Sequence, residues 1–187
     1  MKKTVCSDSG KTTFAEKPEI KEMRVNMMEN TKFKYADEND VGLILSFIKE
    51  LAAYEKMSDQ VVANEELLRQ WIFEKKKAEV IFALEDGRAV GFALFFHNFS
   101  TFLGRAGIYL EDLYVRPEYR GRGHGKGLIR ELARIAVERD CGRLEWCCLD
   151  WNKPSIDFYL ALDAEPMDEW TTYRLTGDAL KNFAEGK

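Results

Sequence analysis

The segment that most restricts what this chain can fold into runs from Ala106 to Cys141. Ala106 to Val115 reads as a strand, ended at Arg116-Pro117, where proline removes a ladder donor. A loop follows with glycines at alternate positions, Gly121, Gly123, Gly125 and Gly127. It opens the strongest helical pattern of the chain. Leu128, Ile129, Leu132, Ile135 and Ala136 fall on one face, with Arg130, Arg134 and Arg139 outside. A helix with one apolar stripe must bury it, and the preceding strand begins the surface that receives it. A layered α/β arrangement follows.

The flanking patterns extend that layer. Phe33 to Tyr35 reads as a short strand, and Asp37 or Asn39 can cap a helix with Val41, Ile44, Leu45, Ile48 and Leu51 at helical spacing. A second helix follows Asn64, with Leu67, Leu68, Trp71 and Ile72 inward. Val80 to Leu84 and Ala89 to Phe96 form a hairpin closed by Asp86-Gly87. After the long helix the patterns predict a strand from Leu144 to Leu149 and a short helix bearing Phe158 and Tyr159. A final strand around Thr171 to Leu175 and a terminal helix from Asp178 complete the chain. The order β-α-α-β-β-β-α-β-α-β describes one mixed α/β domain over residues 31–187. Residues 1–30 mix charges without a regular apolar period, and the expectation for them is a loosely held extension.

Composition narrows the function. The net charge is −4, from 28 Lys+Arg against 32 Asp+Glu, whereas a nucleic-acid binder normally carries a basic excess. Carboxylates gathered in one cleft suit a cationic ligand instead. The longest apolar run, Val90 to Phe96, falls far short of the ~18 residues that span a bilayer. Met1-Lys2-Lys3 is followed by no apolar stretch, so no signal peptide, no membrane partner and a cytoplasmic location are expected. Cys6, Cys141, Cys147 and Cys148 show no disulfide spacing. With His97 and His124 the only histidines, no zinc pattern can be drawn and no metal is expected.

The glycine-rich loop carries the chemistry. Glycines let successive N–H groups converge on one point, and the helix start adds the positive end of its dipole. Phosphate or pyrophosphate fits such a place, with Arg120, Arg122 and Lys126 as mobile charge around it. A P-loop does not fit, since Arg120 stands where its first glycine belongs and Gly127 follows Lys126. The dinucleotide fingerprint fails as well: from Gly121 its third position is Lys126, and from Gly123 it is Leu128. What matches is Arg-x-x-Gly-x-Gly at Arg120, Gly123 and Gly125, which resembles the acyl-coenzyme A pyrophosphate motif of the GNAT N-acetyltransferases. The plainer readings, a solvated Gly/Arg surface loop or an RGG-like RNA contact, sit poorly with the strand–loop–helix context and the acidic charge.

Further segments narrow the likeness: Ile48 to Lys56, Val90 to Phe96, Tyr109-Leu110-Glu111-Asp112, Pro117 to Gly121 and Leu149-Asp150-Trp151-Asn152. Together they resemble the diamine (spermidine/spermine) and thialysine acetyltransferase branch over roughly residues 32 to 175. The resemblance implies a GNAT fold, with a mixed, mostly antiparallel central sheet flanked by helices. It also implies acetyl-CoA as donor, a small primary amine as acceptor and a homodimer.

Direct transfer from a thioester to an amine requires three things. The ammonium must lose a proton, the oxyanion must be held, and the departing thiolate must be protonated. Glu111, near the end of the central strand, suits the base, directly or through water, because an amine of pKa about 10 is mostly protonated at pH 7. Tyr159 suits the acid: a phenol stays protonated at neutral pH and can donate to a thiolate. The resemblance implies these two roles, and the plainer readings are a surface carboxylate and a packed tyrosine. Leu113, Tyr114 and Val115 would offer backbone groups to the pantetheine arm, and Gly121, Arg122, His124 and Gly125 belong to the phosphate loop. Asn152 and Ser155 read either as coenzyme A contacts or as caps of the short helix. Tyr54 and Glu55, which line the amine site in the related enzymes, would form a carboxylate cluster with Glu111 and Asp112; a helix-end glutamate can equally be solvated. Glu145, Trp146 and Cys147 would border the acceptor. An acetyl-cysteine route through Cys147 lacks an activating His or Asp.

Two positions depart from the branch. Where polyamine enzymes carry an acidic residue and then a tryptophan, this chain has Ser100-Thr101-Phe102, which shifts the likeness toward the thialysine type. At Leu162-Asp163-Ala164 the family usually has Gly after the short helix, and Asp tolerates left-handed geometry better than most residues. An acyl-CoA sensor without turnover, or an acetyltransferase for protein lysines or N-termini, are the competing functions. A sensor would need neither Glu111 nor Tyr159.

Overall fold

Strands Lys32–Tyr35 (β1), Glu79–Glu85 (β2), Arg88–Ser100 (β3), Arg105–Val115 (β4) and Leu144–Trp146 (β5) lie side by side in chain order. The computed structural model describes residues 31–187; the expected extension over residues 1–30, Cys6 included, lies outside the described residues. β1 to β4 pair antiparallel and β5 pairs parallel to β4. A parallel pair needs a crossover, which here is helix α3 (His124–Glu138). Helix α1 (Val41–Tyr54) and the short α2 (Glu65–Leu68), continued by a π turn at Arg69–Glu74, join β1 to β2. The chain falls into two compact units, the first ending at Cys147 and the second running from Cys148 to Lys187. All five strands belong to the first. Among the described residues no helix is long and apolar enough to cross a membrane.

Each sheet face is filled by one helix stripe. On one side Ile44 and Phe47 of α1 pack with Phe82, Phe92 and Tyr114, which the register places opposite one another. Phe47 stacks on Phe92 at 5.1 Å between ring centroids, and each fully buried side chain of this size contributes roughly 2–3 kcal/mol. Leu128, Ile129, Leu132, Ile135 and Ala136 of α3 are all buried, as their spacing predicts. Phe47, absent from the expected inward face of α1, proves central to it, while Leu45, Ile48 and Leu51 are half-buried.

Three expectations change. Leu67 and Trp71 are exposed; for Trp71 the turn has widened after Leu68 and broken the 3.6-residue spacing, and Lys75 Nζ lies 3.8 Å above its ring. The strand expected over Leu144 to Leu149 stops at Trp146, since its partner β4 bends just beyond Leu110, the last paired residue. No strand forms at Thr171 to Leu175; the segment is irregular and Tyr173 is 91% exposed, with no ladder partner to hold it extended.

In the second unit, α4 (Lys153–Leu160) starts where the Asn152 side chain accepts the Ser155 N–H, with Pro154 in the first turn. It ends through Asp163, whose φ of 60° is the left-handed conformation anticipated there. Helix α5 (Gly177–Ala184) closes the chain.

Candidate functional site

β4 is interrupted where the chemistry was expected. Leu94 stands opposite Asp112 and Phe95 opposite Leu110, so Glu111 is an extra residue in the ladder. A bulge of this kind bends the strand and re-aims its side chains. Glu111 is exposed, while Asp112 sits on the α1 side of the sheet, in register with Leu94 and Val80. Burial, followed by the negative charges of Glu111 and Glu55, pushes the Asp112 carboxyl up to about 7. Burial also raises Glu55, at the C-terminal end of α1. The structure thus brings Glu55, Glu111 and Asp112 together as one electrostatic set. Such a set favours a bound cation and can accept a proton near neutral pH.

The same bend opens an edge. β4 remains paired to β3 through Val115, but its ladder to β5 ends at Leu110–Trp146. The β4 edge over residues 111–115 therefore continues past the end of β5, and Leu113 and Val115 are half-buried along it. Tyr114 points to the core, 7% exposed, with its ring edge-on to Phe47.

Beyond β4 the chain makes a single turn at Pro117–Tyr119 and enters the glycine loop. Gly121 and Gly123 adopt φ of 74° and 91°, conformations that glycine takes without steric cost. Gly123 caps α3, so the N–H groups of His124, Gly125 and Lys126 lack intrahelical acceptors by the geometry of any helix start. No acidic residue lies in that first turn. The loop backbone fits a diphosphate.

The basic side chains are less free than the sequence implies. Arg120 donates from Nε to the Val115 carbonyl at 2.9 Å and lies over the rings of Tyr54 and Tyr114, at 4.7 and 5.4 Å. It thereby joins Tyr54, expected at the amine site, to the phosphate loop. Arg122 pairs with Glu85 at 2.6 Å and donates to the Glu118 carbonyl. His124 is 4% exposed, with Nε2 2.6 Å from the other Glu85 oxygen. Lys126 is exposed.

On β5, Glu145 accepts from Asn98 at 2.6 Å and pairs with Arg143 at 2.7 Å. Trp146 is half-buried, and exposed Cys147 accepts the Tyr109 hydroxyl proton at 3.0 Å. That bond, reinforced by burial, raises Tyr109 well above the usual phenol range. In the second unit, Asn152 is buried and caps α4, Ser155 supplies the capped N–H, and half-buried Tyr159 stands one turn later beside Phe158, 5.2 Å between centroids. Sequence reasoning missed Tyr109 and Glu85. Strand alternation offers a signal for Tyr109, two residues before Glu111; nothing local marks Glu85, whose partners lie 37 and 39 residues away.

Residues 45–163 match the family model described as Acetyltransferase (GNAT) family, a span that includes residues of both units. The chain is 42% identical over 161 residues to a thialysine N-epsilon-acetyltransferase of Bos taurus, covering 80% of this chain and 94% of that protein. It is 45% identical over 98 residues to the L-ornithine N5-acetyltransferase NATA1 of Arabidopsis thaliana, covering 52% of this chain and 43% of that protein. Among solved structures, an integron cassette protein from the mobile metagenome of V. cholerae superposes with a TM-score of 0.70 at 29% identity, covering 83% and 98% of the two chains.

Proposed function

This chain belongs to the GNAT acetyltransferase family and is an acyltransferase, and we propose that it moves acetyl from acetyl-CoA directly to the primary amine of a small cationic acceptor. Thialysine-like amino acids and short diamines are the acceptor class. The observation that carries this reading is the bulge on β4, which places Glu111 and Asp112, the latter within the electrostatic reach of Glu55 of α1, on a strand whose open edge leads into the diphosphate-fitting loop.

Acetyl-CoA supplies, when bound, an acetyl group activated as a thioester. The N–H groups from His124 to Lys126 hold its diphosphate, with Gly121 and Gly123 giving the backbone close approach. Backbone groups of Leu113, Tyr114 and Val115 pair with its pantetheine arm, as an added strand would pair with the β4 edge. Glu55, Glu111 and Asp112 attract the ammonium, and the bound cation favours the ionised form of each. Glu111, the exposed residue of the bulge, takes the proton, and Tyr159 returns one to the departing thiolate. Two lines support these roles: the likeness of their sequence segments to the diamine and thialysine enzymes, and the inclusion of both residues in the matched span. The same likeness supports a single catalytic domain over residues 31–187 and a homodimer, and the free thiols of Cys141, Cys147 and Cys148 fit the reducing conditions of a cytoplasmic location.

Acceptor length follows from the β3–β4 turn. Ser100 is buried and accepts the Leu103 N–H, while Phe102 is 93% exposed, so no carboxylate stands at either position for a distal ammonium. An unmatched terminal ammonium forfeits on the order of 1 kcal/mol, about a tenfold loss in preference. The two named relatives act on amino acids, in keeping with an acceptor of that kind. Side-by-side kinetics at fixed ionic strength should give thialysine a higher kcat/KM than spermine. Spermine ahead by tenfold would overturn the acceptor assignment, and acetyl-CoA binding without turnover of any amine would leave a sensor.

A further inference from the structure

We infer that Glu85 is a positioning residue for the diphosphate loop, gripping it from outside through Arg122 and His124. This rests on the reading that the loop holds the diphosphate of acetyl-CoA. Glu85 ends β2, and its two carboxylate oxygens go to two different loop residues. Oε1 accepts from Arg122 Nη1 at 2.6 Å, and Oε2 meets His124 Nε2 at 2.6 Å. Between those residues stands Gly123, at φ 91° the residue that turns the backbone into α3. One side chain therefore fixes the position on each side of the left-handed glycine.

The other contacts of the pair oppose movement too. His124 is buried, and its Nδ1 lies 3.4 Å from Thr31 Oγ1 just before β1. One turn into α3, a Cβ on Gly127 would lie 3.2 Å from the Phe33 ring, so the helix start is seated closely on β1. Arg122 continues to the Glu118 carbonyl at 2.9 Å and lies over the Tyr119 ring at 5.2 Å. Bonds between charged partners are the stronger kind, and a short N···O distance to a carboxylate places the imidazole proton on Nε2. With its side chain committed to Glu85, His124 offers the ligand its backbone N–H alone. Glu85 thus supplies preorganisation: the loop is held in its binding shape before the anion arrives, and the ordering cost is removed from the binding step.

Charge alone predicts the reverse. A carboxylate near an anion site repels the anion, so deleting it would tighten binding. The two accounts therefore differ in sign. In Glu85→Ala the KM for acetyl-CoA and its calorimetric Kd should both rise about tenfold or more, with kcat and the KM for the amine within twofold of the unaltered chain. Glu85→Gln keeps the shape and one oxygen acceptor and should recover part of the loss; it carries the test if the alanine variant does not fold. Acetyl-CoA bound as tightly as before, or more tightly, by a folded variant would overturn the inference alone. A parallel fall in kcat would do the same, because it marks general damage to the site. Failure of the unaltered chain to bind acetyl-CoA would overturn the diphosphate reading together with it.

Discussion

At the scale of single residues, three side chains carry tests that the sequence roles and the site geometry make sharp. Tyr159→Phe removes only a hydroxyl, so loss of a general acid should lower kcat by roughly 100-fold or more while calorimetry finds acetyl-CoA affinity unchanged. Mass spectrometry after incubation with acetyl-CoA alone should show no acetyl adduct on Cys147, which meets the Tyr109 hydroxyl rather than an activating base. Asp112 gives a pH test. Its folded pKa, about 7, lies above the ordinary 3.8, so between those values the folded state holds more protons than the unfolded one. Stability from this group therefore falls as pH rises through that window and is lowest above it. Asp112→Asn stays neutral throughout. Its melting temperature should exceed that of the unaltered chain clearly at pH 8 and hardly at pH 4, a difference on the order of a few kcal/mol at most. Equal melting differences at both pH values would refute the burial account.

At the scale of elements, the end of β4 is fastened to α1 by one ion pair. Arg116 gives Nη2 and Nε to Glu50 at 2.8 and 3.0 Å, donates to the Ala89 carbonyl and covers the Phe47 ring at 4.6 Å. Hydrogen bonds from Arg116, helped by Ser46, hold Glu50 below the usual carboxylate range. A depressed carboxylate contributes stability above its unfolded pKa and loses it as pH falls through the folded value. Glu50→Ala should cost about 1–3 kcal/mol in urea melts at pH 7, because it strips a half-buried guanidinium of its partner. That cost should shrink as pH falls below the usual carboxylate range. The pair also fixes where β4 hands over to the turn at Pro117–Tyr119, and so where the glycine loop begins.

At the scale of the whole molecule, the homodimer is the proposal with the widest reach. It rests on the likeness of the sequence segments to the diamine and thialysine enzymes. Sedimentation of the full chain should show a species of twice the 21.6 kDa chain mass, and a monomer at micromolar concentration would refute the proposal.

What the sequence determined by itself was the order of strands and helices through α4, the Asp86-Gly87 hairpin, the buried face of α3 and the left-handed glycine loop. These depend on residues within a few positions of each other, where periodicity and backbone sterics act directly. The left-handed Asp163 belongs with them. Tertiary structure alone decided the rest. The extra residue at Glu111 exists only in the register of β4 against β3, and the same bend ends β5 at Trp146. Trp71 turns outward where the helix widens, and residues 171–175 stay irregular for want of a neighbouring strand. The grip of Glu85 on His124 spans 39 positions and that of Glu50 on Arg116 spans 66. Such pairs are selected by how sheets and helices meet, and no short stretch of chain contains both partners.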